Sequence, residues 1–124
     1  MAKVWRWEMN LKAMFEKIKD AFSNAICINA IESINQNGLY LVFDGCENIS
    51  PAKDKAKFAL VLAANSLEAD NFAALGELEA IRTKLFKQAA NNGENWYKQI
   101  KAAKYEGSTL YLYAVLFEVE IDIF

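Results

Sequence analysis

The chain has 124 residues, 54% of them hydrophobic, and a formal net charge of −2 without a block of basic residues. This length fits a single domain that buries roughly two thirds of its unfolded surface, and the charge pattern argues against nucleic-acid binding as its main task. The absence of histidine removes the commonest general base and the commonest zinc ligand. The apolar excess indicates either a well-filled core or a surface that a partner covers.

The N-terminal segment carries two tryptophans on alternate positions. Trp5 and Trp7 alternate with Arg6 and Glu8, as in a short strand or an extended arm. We predict that residues 1–8 form such an arm ahead of the domain. Because tryptophan is costly to leave in water, the two rings either pack on their own domain or contact a neighbouring subunit.

Apolar residues spaced by three and four predict a first helix over Leu11–Ser23, with Asn10 as its N-cap. Alternation then predicts a strand over Ala25–Ile34. The β-forming sequence LYLVF predicts another strand over Leu39–Phe43. The sequence NQNG at 35–38 contains the usual Asn-Gly turn signal, so we expect these two strands to form a hairpin.

The middle of the chain divides into a polar loop, a strand and a long helix. Cys46–Lys55 holds the only proline and many charges, which predicts a polar loop that is either mobile or ordered by a partner. Lys57–Ala64 is almost continuously apolar and predicts a strand buried on both faces or at a subunit contact. After a loop, apolar spacing predicts a helix over Phe72–Ala90, capped by Asp70 or Asn71.

The last part of the chain predicts a β-hairpin. Trp96–Tyr105 is expected to form an irregular strand that pairs with a strand in Ser108–Phe124. The final residues alternate strictly, which gives the last strand one apolar and one acidic face. The apolar positions are Phe117, Val119, Ile121 and Ile123, and the acidic ones are Glu118, Glu120 and Asp122. The predicted fold is a single α+β domain, with a mixed or antiparallel sheet of about five strands packed by two helices.

The acidic row is the main candidate for chemistry. Glu118, Glu120 and Asp122 have three interpretations: a solvated strand face, a divalent-metal site, or an electrostatic surface used in assembly. The solvated face is favoured, because the sequence offers no second ligand cluster or base partner. No nucleotide-binding, hydrolase or metalloprotease motif is present, so we assign no catalytic residue, metal ligand or cofactor.

The cysteines and apolar segments indicate a soluble, intracellular protein. Cys27 and Cys46 have no CxxC spacing, and we expect both to be reduced. Acidic neighbours disfavour the Cys46 thiolate. The first ten residues lack the apolar core of a signal peptide. The longest apolar run, Leu110–Phe117, is too short to span a bilayer.

Three segments carry a resemblance to a known family. They are KFALVLAANS at Lys57–Ser66, AALGELEAIRTKLF at Ala73–Phe86, and LYLYAVLFEVEI at Leu110–Ile121. With the order of the predicted elements, they make the chain from Met9 onward similar to phage tail-terminator proteins, particularly the small proteins of Mu-like prophages. The KVWRWE extension departs from that pattern, and no site residue is carried over from the family.

The resemblance implies an assembly role. Tail terminators form a ring, typically hexameric, that caps the tail tube, stops its polymerisation and joins it to the head. The implied partners are further copies of the chain, tail-tube proteins and head–tail connector proteins, first in the bacterial host cytoplasm and then in the virion tail. In such a ring the acidic row would face water or the lumen, where DNA slides without sticking. No sequence-specific nucleic acid and no membrane is implied.

A second hypothesis belongs to a different functional class. The same α+β pattern suits a small dimeric domain that binds a ligand or regulates another protein. An enzyme that uses carboxylates is the least favoured hypothesis. Light scattering separates the first two, since a ring and a dimer differ in mass.

Overall fold

The structure is a computed structural model that describes residues 10–91, 93–103 and 110–122. The described residues form two α-helices and a five-stranded mixed sheet, which confirms the predicted α+β fold class. The N-terminal arm, with Trp5 and Trp7, lies outside the described residues. The elements are α1 (Leu11–Ala21), β1 (Ile26–Ile28), a 3-10 turn (Ile31–Ser33), β2 (Gly38–Ser50), β3 (Lys53–Ala64), α2 (Ala73–Ala90), β4 (Tyr97–Ala103) and β5 (Tyr111–Asp122).

The sheet has the order β1-β2-β3-β5-β4. β1 runs parallel to β2, and every other neighbouring pair is antiparallel. The two central strands, β3 and β5, pair along their whole length, from Lys53 opposite Asp122 to Ala64 opposite Tyr111. The predicted terminal hairpin is therefore confirmed, with β4 pairing along β5.

The main core lies between the helices and one face of the sheet. Met14 and Ile18 of α1 and Leu85 of α2 are buried there against Phe58 of β3 and Phe117 of β5. The rings of Phe58 and Phe117 stack with their centroids 5.6 Å apart. Burying each such side chain contributes about 1.5–3 kcal/mol, so this layer is the main source of stability.

The opposite face of the sheet is divided into an apolar half and a charged half. In the apolar half, Ala59, Val61 and Ala63 of β3 are buried in a second, smaller cluster, against which Ile31 and Ile34 pack. Since Leu60 and Leu62 face the main core, this part of β3 is buried on both sides, as its continuous apolar sequence predicted. The charged half lies at the other end of the same strands.

The predicted hairpin around the Asn-Gly turn is wrong. β1 has only three residues and runs parallel to β2, because the chain passes through the 3-10 turn before β2 begins. Gly38 has a φ of +151° and starts β2 instead of closing a two-residue turn. The Tyr40 hydroxyl donates to the Gln36 carbonyl oxygen at 2.9 Å, which holds this bend. Asn-Gly favours a hairpin only where the flanking strands are antiparallel neighbours.

The predicted polar loop at Cys46–Lys55 is also wrong. β2 continues to Ser50 through a register shift between Phe43 and Gly45, and β3 begins at Lys53. Both strands thus extend beyond β1 as a long hairpin. The residues there are polar because this half of the hairpin is largely exposed, and not because the backbone is irregular.

The helix boundaries agree with the predictions in part. The Asn10 side chain accepts from the Ala13 amide at 2.9 Å, which confirms the N-cap of α1. The predicted side-chain cap of α2 at Asp70 or Asn71 is wrong. The residue before α2 is Phe72, which has a left-handed backbone (φ 63°) and no side-chain cap. Its amide instead donates to the Leu67 carbonyl oxygen at 2.6 Å, so a backbone turn replaces the cap.

Candidate assembly surfaces

The acidic row lies on the charged half of the face opposite the helices. The register places Glu118 opposite Lys57, Glu120 opposite Lys55 and Asp122 opposite Lys53. Val119 and Ile121, between the acids, are buried in the main core, which confirms the predicted division of the strand into two faces. Ile123 lies outside the described residues.

Three lysines of β3 lie beside this acidic row and pair with acidic residues. We call the whole set of seven charged residues the charge ladder: Glu47, Lys53, Lys55, Lys57, Glu118, Glu120 and Asp122. The Lys53 ammonium lies 3.2 Å from an Asp122 carboxylate oxygen, and that of Lys55 lies 3.5 Å from Glu118. Lys57 pairs across the other side with Glu47 at 3.3 Å. The ladder has three positive and four negative charges, so it is nearly neutral.

The sequence predicted three of the four acids of the ladder but missed Glu47 and the three lysines. Lys53, Lys55 and Lys57 alternate with Asp54 and Ala56, which is the signature of a strand with one charged face. Lys53 and Lys55 lay inside the segment predicted to be a loop, whereas Lys57 began the predicted strand Lys57–Ala64. The lysines recur at every second residue, as the acids of β5 do, and this shared period of two was the sequence evidence for the ladder.

Neutralising the acidic row is expected to leave the fold intact. Replacing Glu118, Glu120 and Asp122 together by glutamine removes two half-exposed ion pairs, each worth about 0–1 kcal/mol. We expect urea denaturation to show a loss of less than about 2 kcal/mol in the free energy of unfolding. A triple variant without a cooperative unfolding transition would contradict the assignment of this row to a solvated face.

The described residues contain no group of three or more His, Cys, Asp or Glu side chains placed to hold a metal ion. Cys27 and Cys46 are both exposed and are not joined in a disulfide. Although Cys46 is exposed, partial loss of solvation is the largest cause that raises the pKa of its thiol; the negative charge of Asp54, a hydrogen bond to Asp54 and the charge of Glu47 follow in that order. The thiolate is therefore disfavoured, as the sequence predicted.

The raised pKa of Cys46 predicts slow alkylation that an Asp54→Asn variant accelerates. The thiolate is the nucleophile, so a raised pKa moves the rise in reactivity to higher pH. Removing the Asp54 charge lowers the pKa and increases the rate near pH 8, while asparagine keeps an oxygen that accepts from Asn48. Iodoacetamide kinetics in a Cys27→Ser background measure this. Asp20→Asn on α1 is the control, and identical pH profiles for both variants would contradict the account.

Exposed apolar side chains lie on two sides of the molecule. Ile26, Phe43 and Ile49 are exposed along β1 and β2 at one edge of the sheet. Phe72 and Leu75 are exposed at the start of α2. Large exposed apolar side chains near a strand edge or a helix end are candidates for interaction surfaces.

Phe86 of α2 is also exposed. It lies beside β4, so the exposed apolar side chains of α2 reach from the start of the helix to the β4 edge of the sheet. The Phe86 ring makes an edge-on contact with Tyr97 of β4, with the centroids 5.6 Å apart. The Arg82 guanidinium lies 4.9 Å from the Phe86 ring and 5.0 Å from the Tyr97 ring. These contacts form an aromatic surface beside β4, in which the Arg82 guanidinium is also paired with Glu79 at 3.0 Å.

Two cavities border α2. One of about 490 Å³ lies between the helix and the start of β2, and its polar lining includes Asn24, Asn37, Asp70 and Glu77. Another of about 450 Å³ has Phe72 on its wall. Tyr111, Tyr113 and Ala102 of β4 also line that cavity.

Comparisons with known proteins give no family assignment: no protein-family model matches the chain, and no curated protein is similar to it. Neither α1 nor α2 is long and apolar enough to cross a lipid bilayer.

Proposed function

We propose that the chain is a non-enzymatic assembly protein of a phage or prophage tail, a tail terminator that caps the tail tube and joins it to the head. The observation that carries the proposal is the presence of two different exposed apolar surfaces. Phe43 and Ile49 mark the one at the β2 edge, and Phe72 and Phe86 mark the one beside α2 and β4. A ring built head-to-tail requires two such complementary surfaces on every subunit.

The sequence resemblance supports the same function. The three segments that resemble tail terminators correspond to the end of β3, to α2 and to β5, which hold most of the main core. In the proposed ring, the charge ladder faces solvent or the lumen. A nearly neutral ladder attracts phosphate only weakly, so DNA passes it without sequence-specific or tight binding.

The proposal is tested by deleting the gene in a bacterium that carries the prophage and examining the induced particles by electron microscopy. A tail terminator limits tube length, so we expect overlong tails without heads, and restoration by the plasmid-borne gene. Mass spectrometry of wild-type particles should detect the chain in the tail. Tails of normal length joined to heads in the deletion strain would contradict the proposal.

One observation favours a second candidate, a small dimeric ligand-binding or regulatory domain. The cavity of about 490 Å³ has the size of a small-molecule site and combines an apolar wall with polar groups such as Asn37 and Glu77. Thermal denaturation in the presence of a metabolite library tests it. A ligand that raises the melting temperature of the wild type but not of a Glu77→Ala variant would favour this candidate.

A further inference from the structure

The outer edge of β2 has a free segment. β1 pairs with β2 only at Tyr40, Leu41 and Val42. In the part of the chain that the structure describes, no strand pairs with that side of β2 from Phe43 to Ser50. Among the described strands, β4 is the last at the other side of the sheet, so its outer side is a second edge there. Unpaired strand edges expose backbone donors and acceptors that another strand can satisfy.

The two edges carry opposite charges. The free segment of β2, FDGCENIS, contains Asp44 and Glu47 and no basic residue, and β4, YKQIKAA, contains Lys98 and Lys101 and no acidic residue. All four side chains are exposed. Glu47 pairs with Lys57, whereas neither β4 lysine takes part in an ion pair within the described residues.

Each edge also carries exposed apolar surface. Phe43 and Ile49 flank the acidic residues of β2, and both are exposed. Beside β4, the Phe86 ring is exposed and rests on Tyr97. Exposed apolar side chains at a strand edge promote aggregation. Their presence here therefore favours an edge that another strand covers.

We propose that the free β2 segment of one copy pairs with β4 of the next copy. This inference rests on the self-association in the proposed function and names the surfaces that join. When the helices of both copies lie on the same side, the alternating strand directions place β4 antiparallel to β2. β4 has seven residues, close to the length of the free segment.

Charge selects this pairing over its alternatives. Two β2 edges would bring four carboxylates together, and two β4 edges would bring four ammonium groups together. Like charges placed directly opposite each other are destabilising, whereas the mixed pair is attractive. A contact between two different edges is heterologous, so it propagates from copy to copy and closes into a ring when the rotation allows.

Charge reversal tests the pairing. One variant carries Asp44→Lys and Glu47→Lys, and another carries Lys98→Glu and Lys101→Glu. Each variant then has two edges of like charge, so we expect each to lose self-association by roughly tenfold or more in sedimentation velocity. An equimolar mixture regains complementary edges and is expected to reassemble in alternating order. Because all four positions are exposed, circular dichroism should show an unchanged fold.

A control variant, Lys12→Glu with Lys19→Glu on exposed positions of α1, changes the net charge as much as the β4 variant does. It should assemble like the wild type. Assembly of the two edge variants at wild-type strength, or a mixture that stays dissociated, would overturn the edge pairing while leaving self-association in place. A wild-type chain that stays monomeric would overturn both the pairing and the proposed ring.

Discussion

Replacing Phe117 by alanine is expected to lower the free energy of unfolding by about 3–5 kcal/mol. The Phe117 side chain is 1% exposed and lies in the long central strand β5. Its ring stacks on Phe58 at 5.6 Å, so truncation leaves a cavity at the centre of the main core. Urea denaturation followed by circular dichroism measures the loss.

Phe72→Ala is the matched control for this prediction. It removes the same side chain from a position that is half exposed. The left-handed backbone at Phe72 strains alanine as much as phenylalanine, so the change in strain is small. We expect a loss of less than about 1 kcal/mol. A comparably small loss for Phe117→Ala would place that ring on the surface and reverse the two faces of β5.

The second large effect is expected at Leu85 on α2. Leu85 is 0% exposed and packs in the main core, so Leu85→Ala should cost about 2–5 kcal/mol. This loss combines the transfer of the missing methyl groups with the cavity they leave. The chain offers a control on the same helix, because Leu75 is 50% exposed.

Leu75→Ala should change the free energy of unfolding by no more than about 0.5 kcal/mol, since the side chain is half in water and alanine favours the helix. The pair therefore measures which side of α2 faces the sheet. Equal losses for the two variants, or a larger loss at Leu75, would mean that the helix is rotated about its axis. If Leu75 belongs to an assembly surface, Leu75→Ala should also weaken self-association.

The long periodic segments were predictable from the sequence. Helix α1, helix α2 and strand β5 each repeat apolar residues at the spacing of one secondary structure, and burial of one face enforces that spacing. The inward orientation of Phe117, Val119 and Ile121 follows from alternation alone and is confirmed by their burial.

The connections were not predictable, because tertiary partners decide them. Gly38 follows an asparagine in an apparent turn, yet the short β1 pairs in parallel and β2 starts at this glycine. The stretch from Cys46 to Lys55 looks like a loop because its polar residues face water. Pairing with the far end of β5, which lies more than sixty residues away in sequence, keeps β3 extended there.

The candidate surfaces were predictable only in part. The acidic row of Glu118, Glu120 and Asp122 follows from the sequence, but its lysine partners depend on the register between β3 and β5. The opposite charges of the β2 and β4 edges depend on strand order, which no local pattern contains. The proposed roles of Trp5 and Trp7 stay predictions.

The proposed ring is tested most directly by the mass of the purified full-length chain in native mass spectrometry, repeated over a range of concentrations. The account predicts one closed oligomer of several chains, typically six, whose size stays constant once it has formed. Heterologous contacts that close give such a fixed number. A monomer at every concentration, or a dimer that never grows, would contradict it.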